Sequence, residues 1–299
     1  MVATGLKNVS GLAQDSQGRL WAVTAAFNDI GTDALYVIPA PGQDAVKVAG
    51  DLHTPMGLLW TSDRLYVSSA EGVIAFDGFD GARFAKQQTI ATFSGAGIMG
   101  GLALGNDGRI RVGISAACDN CVPDSKWAAS VVSFLPDGSE ARVEASGIRA
   151  PVGLAYVPGT NDLLVTMNQR DDLGDATPGD YLALVLSGQT WGFPSCYGQG
   201  GSDCAGVPPP IAEMDKHAAV SGIAVLTVAG KTSAFAAEWA TGKLVRVELI
   251  SSNGSYSGTI EQPITGIQGP VGVTASGGSS LLVGDWVTGT VYKITLPAT

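Results

Sequence analysis

One phrase recurs six times along this chain: a Gly, an apolar stretch, a polar turn and a second apolar stretch. The copies begin at Gly11 (GLAQDSQGRLWAV), Gly57 (GLLWTSDRLYV), Gly101 (GLALGNDGRIRV), Gly153 (GLAYVPGTNDLLV), Gly222 (GIAVLTVAGKTSAFAA) and Gly272 (GVTASGGSSLLV). They are spaced 46, 44, 52, 69 and 50 residues apart. A repeat of that length built from short strands predicts a β-propeller. The expected fold is therefore all-β: six blades of four antiparallel strands around a central channel, with residues 1–299 as a single domain. Function in such a ring belongs by default to the loops around the channel.

Each phrase supplies two strands and their hairpin. The turns fall at Asp15–Gly18, Ser62–Asp63, Asn106–Gly108, Gly159–Asp162, Ala229–Lys231 and Ser276–Gly278. Their Gly, Asn, Asp and Ser residues suit tight turns. A third strand is expected at 34–38, 72–76, 130–135, 181–186, 243–249 and 290–296. No segment combines helical periodicity with caps. A seventh blade would have to come from the long fourth interval, which reads as a turn-rich loop.

The net charge of −10 and the lack of a basic stripe argue against a nucleic-acid partner. No run of 18 apolar residues suggests a membrane span. Small neutral ligands, cations and basic partners remain open. The four cysteines form two close pairs, Cys118/Cys121 and Cys196/Cys204. A zinc site lacks the ribbon pattern, and a redox CxxC lacks its βαβ setting. Two local disulfides are the preferred reading and imply an oxidising, secreted or periplasmic setting. Met1–Leu6 has neither the charged start nor the apolar core of a signal peptide, so a removed leader is expected.

Residues 145–204 contain the strings NQRDDLGD and WGFPSCYG. This stretch resembles the glucose/sorbosone dehydrogenase family of six-bladed propellers. The resemblance implies pyrroloquinoline quinone (PQQ) and Ca²⁺ at the channel mouth, and oxidation of a sugar or aldehyde. It implies cofactor-binding roles for Arg149 and for Asn168, Gln169 and Arg170 of the shared string. The family's redox site is depleted here. Its base His falls on Gly97 of GIMGGL, its Arg–Asn pair reads Arg149–Ala150, and its Arg-rich opening to the last blade reads GIQGP with Gln268. Lys243 lies near the family's cofactor-binding Lys but out of step with it. Of the two histidines, His217 sits in a family-like segment and is a catalytic candidate.

Two carboxylates offer different chemistry. Glu238 and Asp285 occupy matching places in AEWATG and GDWVTG, each before a Trp. They are expected just past the innermost strands of blades 5 and 6, at the channel mouth, with Trp239 and Trp286 as aromatic walls for a ligand. Such a pair suits acid/base work, Ca²⁺ ligation or sugar binding, as in a lactonase propeller with Asn168 as third partner. Alternatively, each acid caps a turn and each Trp packs between blades. The acidic loop with Asp171, Asp172, Asp175 and Asp180 is a Ca²⁺ candidate, though its spacing is not that of an EF-hand. Three functions follow for comparison: an oxidoreductase with altered residues, a Ca²⁺-dependent hydrolase, and a non-catalytic propeller binding a small, sugar-like ligand.

Overall fold

A computed structural model describes residues 1–27, 33–198, 200–261 and 263–297. Six antiparallel sheets succeed one another in chain order, each built outward from the channel. The innermost strands are Val9–Gln14, Gly57–Trp60, Met99–Leu104, Pro151–Tyr156, Val220–Val228 and Pro270–Ala275. Each contacts the next, and the last contacts the first, so the ring closes. Among the described residues the only helix is one 3₁₀ turn, Gly174–Ala176.

The expected third strands appear at Ala34–Ile38, Gly72–Phe79, Ser130–Phe134, Tyr181–Val185, Lys243–Ser252 and Thr290–Thr295. Among the described residues two blades depart from four strands. Blade 3 gains a fifth, Gln189–Thr190, which runs parallel to Arg142–Ser146. Blade 6 has three strands in its own sheet. Its outer edge is completed by the N-terminal segment: Val2 donates to Val291 O at 2.7 Å, and Val291 donates to Ala3 O at 2.9 Å. Closing the ring with the two ends of the chain covers a sheet edge that would otherwise be exposed.

The recurring glycines have a tertiary cause. Inner strands of neighbouring blades pass so closely that a side chain would strike backbone. A Cβ on Gly57 would lie 2.6 Å from Gly100 O, and one on Gly11 would lie 2.8 Å from Met56 O. A Cβ on Gly153 would overlap Ser221 O, and one on Gly222 would overlap Val271 O. Buried hydroxyls tie the same strands together: Ser10 Oγ donates to Pro55 O at 2.6 Å and Thr166 Oγ1 to Ser221 O at 2.6 Å.

The apolar core lies between blades, as alternating strand residues face the adjoining sheets. Between blades 1 and 2 it is aromatic. Trp21, Trp60, Phe76, Phe79 and Phe84 meet with ring centroids 4.9–6.2 Å apart. Both disulfides are present, Cys118–Cys121 and Cys196–Cys204. The second closes the loop in the long fourth interval, together with a short hairpin, Cys196–Tyr197 and Gly200–Gly201. That loop is what lengthens the spacing of the repeats.

Candidate functional site

The channel has a waist and two mouths. All six repeat glycines line the waist, which holds a void of only about 60 Å³. One mouth opens into a cavity of about 530 Å³ and the opposite mouth into one of about 360 Å³. The larger is the candidate site.

Its lining follows from strand alternation. Met56, Gly100, Val152, Ser221 and Val271 each stand immediately before the glycine that their blade turns toward the next. Ser115, Asn168, Trp239 and Trp286 each stand just after the second strand of their blade. These two sets form two tiers of one wall. Phe27, Ile98, Arg149, Val220 and four alanines complete it.

Glu238 and Asp285 are the last residues of the second strands, Lys231–Glu238 and Ser280–Asp285. They therefore do not follow the innermost strands, as expected from the sequence. One step along a strand reverses the side-chain direction. The Trp residues line the cavity; the acids do not, and both are 1% exposed. Asp285 accepts backbone N–H groups from Gln268 (3.1 Å), Gly269 (3.2 Å), Val287 (3.1 Å) and Thr288 (3.2 Å). Burial pushes its pKa up, but these bonds outweigh it and hold the carboxyl below its ordinary value. Glu238 accepts Asp215 N at 3.2 Å and the Thr241 hydroxyl at 2.5 Å. In the geometry each acid anchors a turn.

The acidic loop is likewise taken up by protein partners. Asp172 forms a two-point pair with Arg170, with both bonds at 2.6 Å. That pair lowers the Asp172 pKa and raises that of Arg170, whose guanidinium also lies over the Tyr197 ring. Asp180 is buried and accepts Gln169 N at 2.7 Å and Val220 N at 3.1 Å, clipping blade 4 to blade 5. Asp33 makes the same clip from blade 1 to blade 2 through Ala26 N and Thr54 N. Burial pushes the Asp180 carboxyl up to about 6. Asp175 offers its carbonyl to Lys216 Nζ at 3.0 Å. Among the described residues no three His, Cys, Asp or Glu side chains converge to hold a metal ion.

His217 lies outside the cavity lining. Its Nδ1 is 2.7 Å from Asp171 Oδ1 and its Nε2 is 3.0 Å from Gly174 O. Two acceptors satisfy both ring nitrogens only when the imidazole is protonated. The Asp171 bond, then the Gly174 carbonyl, raise its pKa. Gln169 is 2% exposed and donates from Nε2 to Tyr197 O at 2.6 Å. Of the residues predicted from sequence, the cavity thus gathers Arg149, Asn168, Trp239 and Trp286, and leaves the others around it.

Sequence reasoning missed Asp119. This residue lies inside the Cys118–Cys121 ring and pairs with Arg149 Nη2 at 2.5 Å. Its carboxylate also accepts Asp171 N and Asp172 N. Arg149 Nη1 donates to the carbonyls of Asn168 (3.3 Å) and Gln169 (2.7 Å). The cation of the cavity is thereby neutralised and fixed. Met56, Val152, Ser221 and Val271 were also missed, although their place beside the repeat glycines is a usable signal.

Gly97 does not line the cavity either. A Cβ there would come within 2.6 Å of the Ser115 and Ala116 carbonyls, so the backbone leaves no room for a side chain. Its neighbour Ile98 faces the cavity instead and is 42% exposed. PQQ carries three carboxylates and needs several cations or N–H donors. The described lining offers one guanidinium, already paired with Asp119, and Lys243 is paired with Asp215. The residues present do not fit that group.

The fold and cavity define a six-bladed propeller with a ligand-sized, mainly apolar pocket at one channel mouth. No family model matches the chain, and no curated protein is similar to it in sequence. Solved structures are similar in fold. A PQQ-bound aldose sugar dehydrogenase from Streptomyces coelicolor is 20% identical, with a TM-score of 0.77 over 94% of this chain and 89% of that one. The PQQ domain of a pyranose dehydrogenase from Coprinopsis cinerea is 16% identical, with a TM-score of 0.75 over 99% and 94%. A gluconolactonase from Xanthomonas campestris is 16% identical, with a TM-score of 0.60 over 99% and 87%. The chain has the propeller fold that these sugar enzymes share.

Proposed function

We propose that this protein is a small-ligand-binding propeller on the sugar-dehydrogenase scaffold, working in an oxidising, secreted or periplasmic compartment, without quinone-dependent oxidation. One observation carries the reading. The described residues lining the cavity include no Asp, Glu, His, Lys, Cys or Tyr, and their single cation is already paired. Oxidising an alcohol or an aldehyde hydrate requires a base to take the hydroxyl proton, and hydrolysing a lactone requires a group to activate water. The described lining supplies neither. What it does supply is a concave, aromatic-walled surface with a few polar groups, which is the composition of a binding pocket. The two disulfides support the compartment.

The lactonase reading has weaker support. It draws on the likeness to the gluconolactonase, but Glu238 and Asp285 are engaged in turns and lie off the cavity wall. The test is direct. Added PQQ and Ca²⁺ should neither raise the melting temperature nor support dye-linked oxidation of glucose above the protein-free blank. Saturable PQQ binding with turnover would overturn the proposal and require a base and a cationic clamp elsewhere.

A further inference from the structure

The chemistry of the wall narrows the ligand further, resting on the binding role proposed above. Three of the large apolar side chains exposed on this molecule meet at this one mouth: Phe27 (51% exposed), Ile98 (42%) and Trp239 (41%). Apolar groups gathered at one concave place mark an interaction site, whereas scattered ones do not. Trp239 and Trp286 stand edge to face, with centroids 5.9 Å apart and planes at 89°. The Trp286 indole is pinned by its Nε1 donating to Ala25 O at 2.9 Å. The two rings therefore form a preset corner against which a flat ring can stack on one and meet the other edge-on.

The polar groups set the charge of the ligand. Arg149 gives its positive charge to Asp119 and its Nη1 hydrogens to two carbonyls. An anion would have to compete with Asp119 and would enter an apolar space uncompensated. A cation has no carboxylate in the described lining to meet. A polyol would leave most of its hydroxyls unpaired, because the described wall has few polar side chains and the single Ser221 hydroxyl hydrogen is shared between the carbonyls of Ala237 and Pro270, both at 3.4 Å. Asn168 remains. Its Oδ1 is itself buried without a partner, so a ligand reaches that acceptor only once the carboxamide turns end for end and brings Oδ1 out in place of Nδ2. It suits a single neutral hydroxyl, carbonyl or amide.

We infer that the large mouth binds a neutral, flat, predominantly aromatic molecule carrying one such polar group, stacked in the Trp239–Trp286 corner and oriented by Asn168. Three probes of known chemistry test this on the intact protein by calorimetry and tryptophan fluorescence: naphthol (neutral), naphthoate (the anion of the same shape) and methyl glucoside (a polyol). Naphthol should bind one to one and quench indole emission. Naphthoate should bind about tenfold more weakly or less, because its charge is desolvated without a partner. The glucoside should leave the signal unchanged. Trp239→Ala should weaken naphthol binding about tenfold, through the loss of stacking area. Its melting temperature should stay close to that of the parent, since Trp239 is substantially exposed. Tighter binding of naphthoate or of the glucoside would overturn the ligand class and leave the binding role standing. No binding by any probe, with indole emission unmoved, would overturn both.

Discussion

Replacing Asp285 by Asn separates a turn anchor from a ligand contact. The side chain is 1% exposed and accepts four backbone N–H groups: three on Oδ1, from Gly269, Val287 and Thr288, and one on Oδ2, from Gln268. Asn keeps the shape but turns one oxygen into a donor. With its oxygen in the Oδ1 place, three bonds survive but lose their charge, at about 1 kcal/mol each. The Gln268 N–H then faces an NH₂ group, which costs about 1–3 kcal/mol. Relief from burying a charge returns roughly 2 kcal/mol. The net loss is about 3 kcal/mol. Unfolding entropy of about 2.1 cal/mol/K per residue, over 299 residues, converts this to a fall of about 5 °C in melting temperature. Differential scanning fluorimetry at neutral pH measures it. The folded pKa of Asp285 is depressed, so its contribution is present above the ordinary carboxylate pKa and lost as pH falls through the folded value. The gap between parent and variant should therefore narrow in acid. An unchanged melting temperature with naphthol binding abolished would refute the anchor role and return Asp285 to the site.

Three further outcomes follow from the same structure. Gly222→Ala places a methyl against the Val271 backbone and should cost about 3 kcal/mol, at the upper end for overpacking. Gly159→Ala has open space and a φ of +77°, so it should cost only about 1–2 kcal/mol of left-handed strain; equal losses in urea titrations would refute the close-approach argument. Asp180 and His217 have raised folded pKa values, so both bind protons more tightly folded than unfolded. Their contributions are full at low pH and fade as pH rises, for Asp180 between 3.8 and about 6, and for His217 from 6.5 upward. His217→Asn should flatten the stability–pH curve above 6.5 and leave the lower part intact, as read by denaturant midpoints across pH. Replacing Cys118 and Cys121 together by Ser should remove about 2 kcal/mol, toward the low end for a small closed loop. The amides of Asp171 and Asp172, held by Asp119 inside that ring, should then exchange faster in hydrogen–deuterium measurements; unchanged exchange would show that the ring does not hold the loop.

Local pattern in the chain determined the blades. The hairpin turns, the third strands and both disulfides follow from spacing and residue type, because alternation, turn chemistry and short cysteine separations act between near neighbours. The repeat glycines announced six units, but their purpose emerges only when Gly57 is seen against Gly100, and Gly222 against Val271, across blade boundaries. The site divides in the same way. Its four legible residues, Arg149, Asn168, Trp239 and Trp286, lie at loop positions that the repeat itself marks. Whether Glu238 or Trp239 faces the channel depends on a single step of strand register, and the repeat phrase places both at the same mouth. Whether Arg149 is a free cation depends on Asp119, thirty residues earlier and on a neighbouring loop. Side-chain direction and charge pairing are set by which strands and loops the ring brings side by side. Only the closed propeller therefore decided that the described lining of this mouth is mainly apolar, with its one cation already paired.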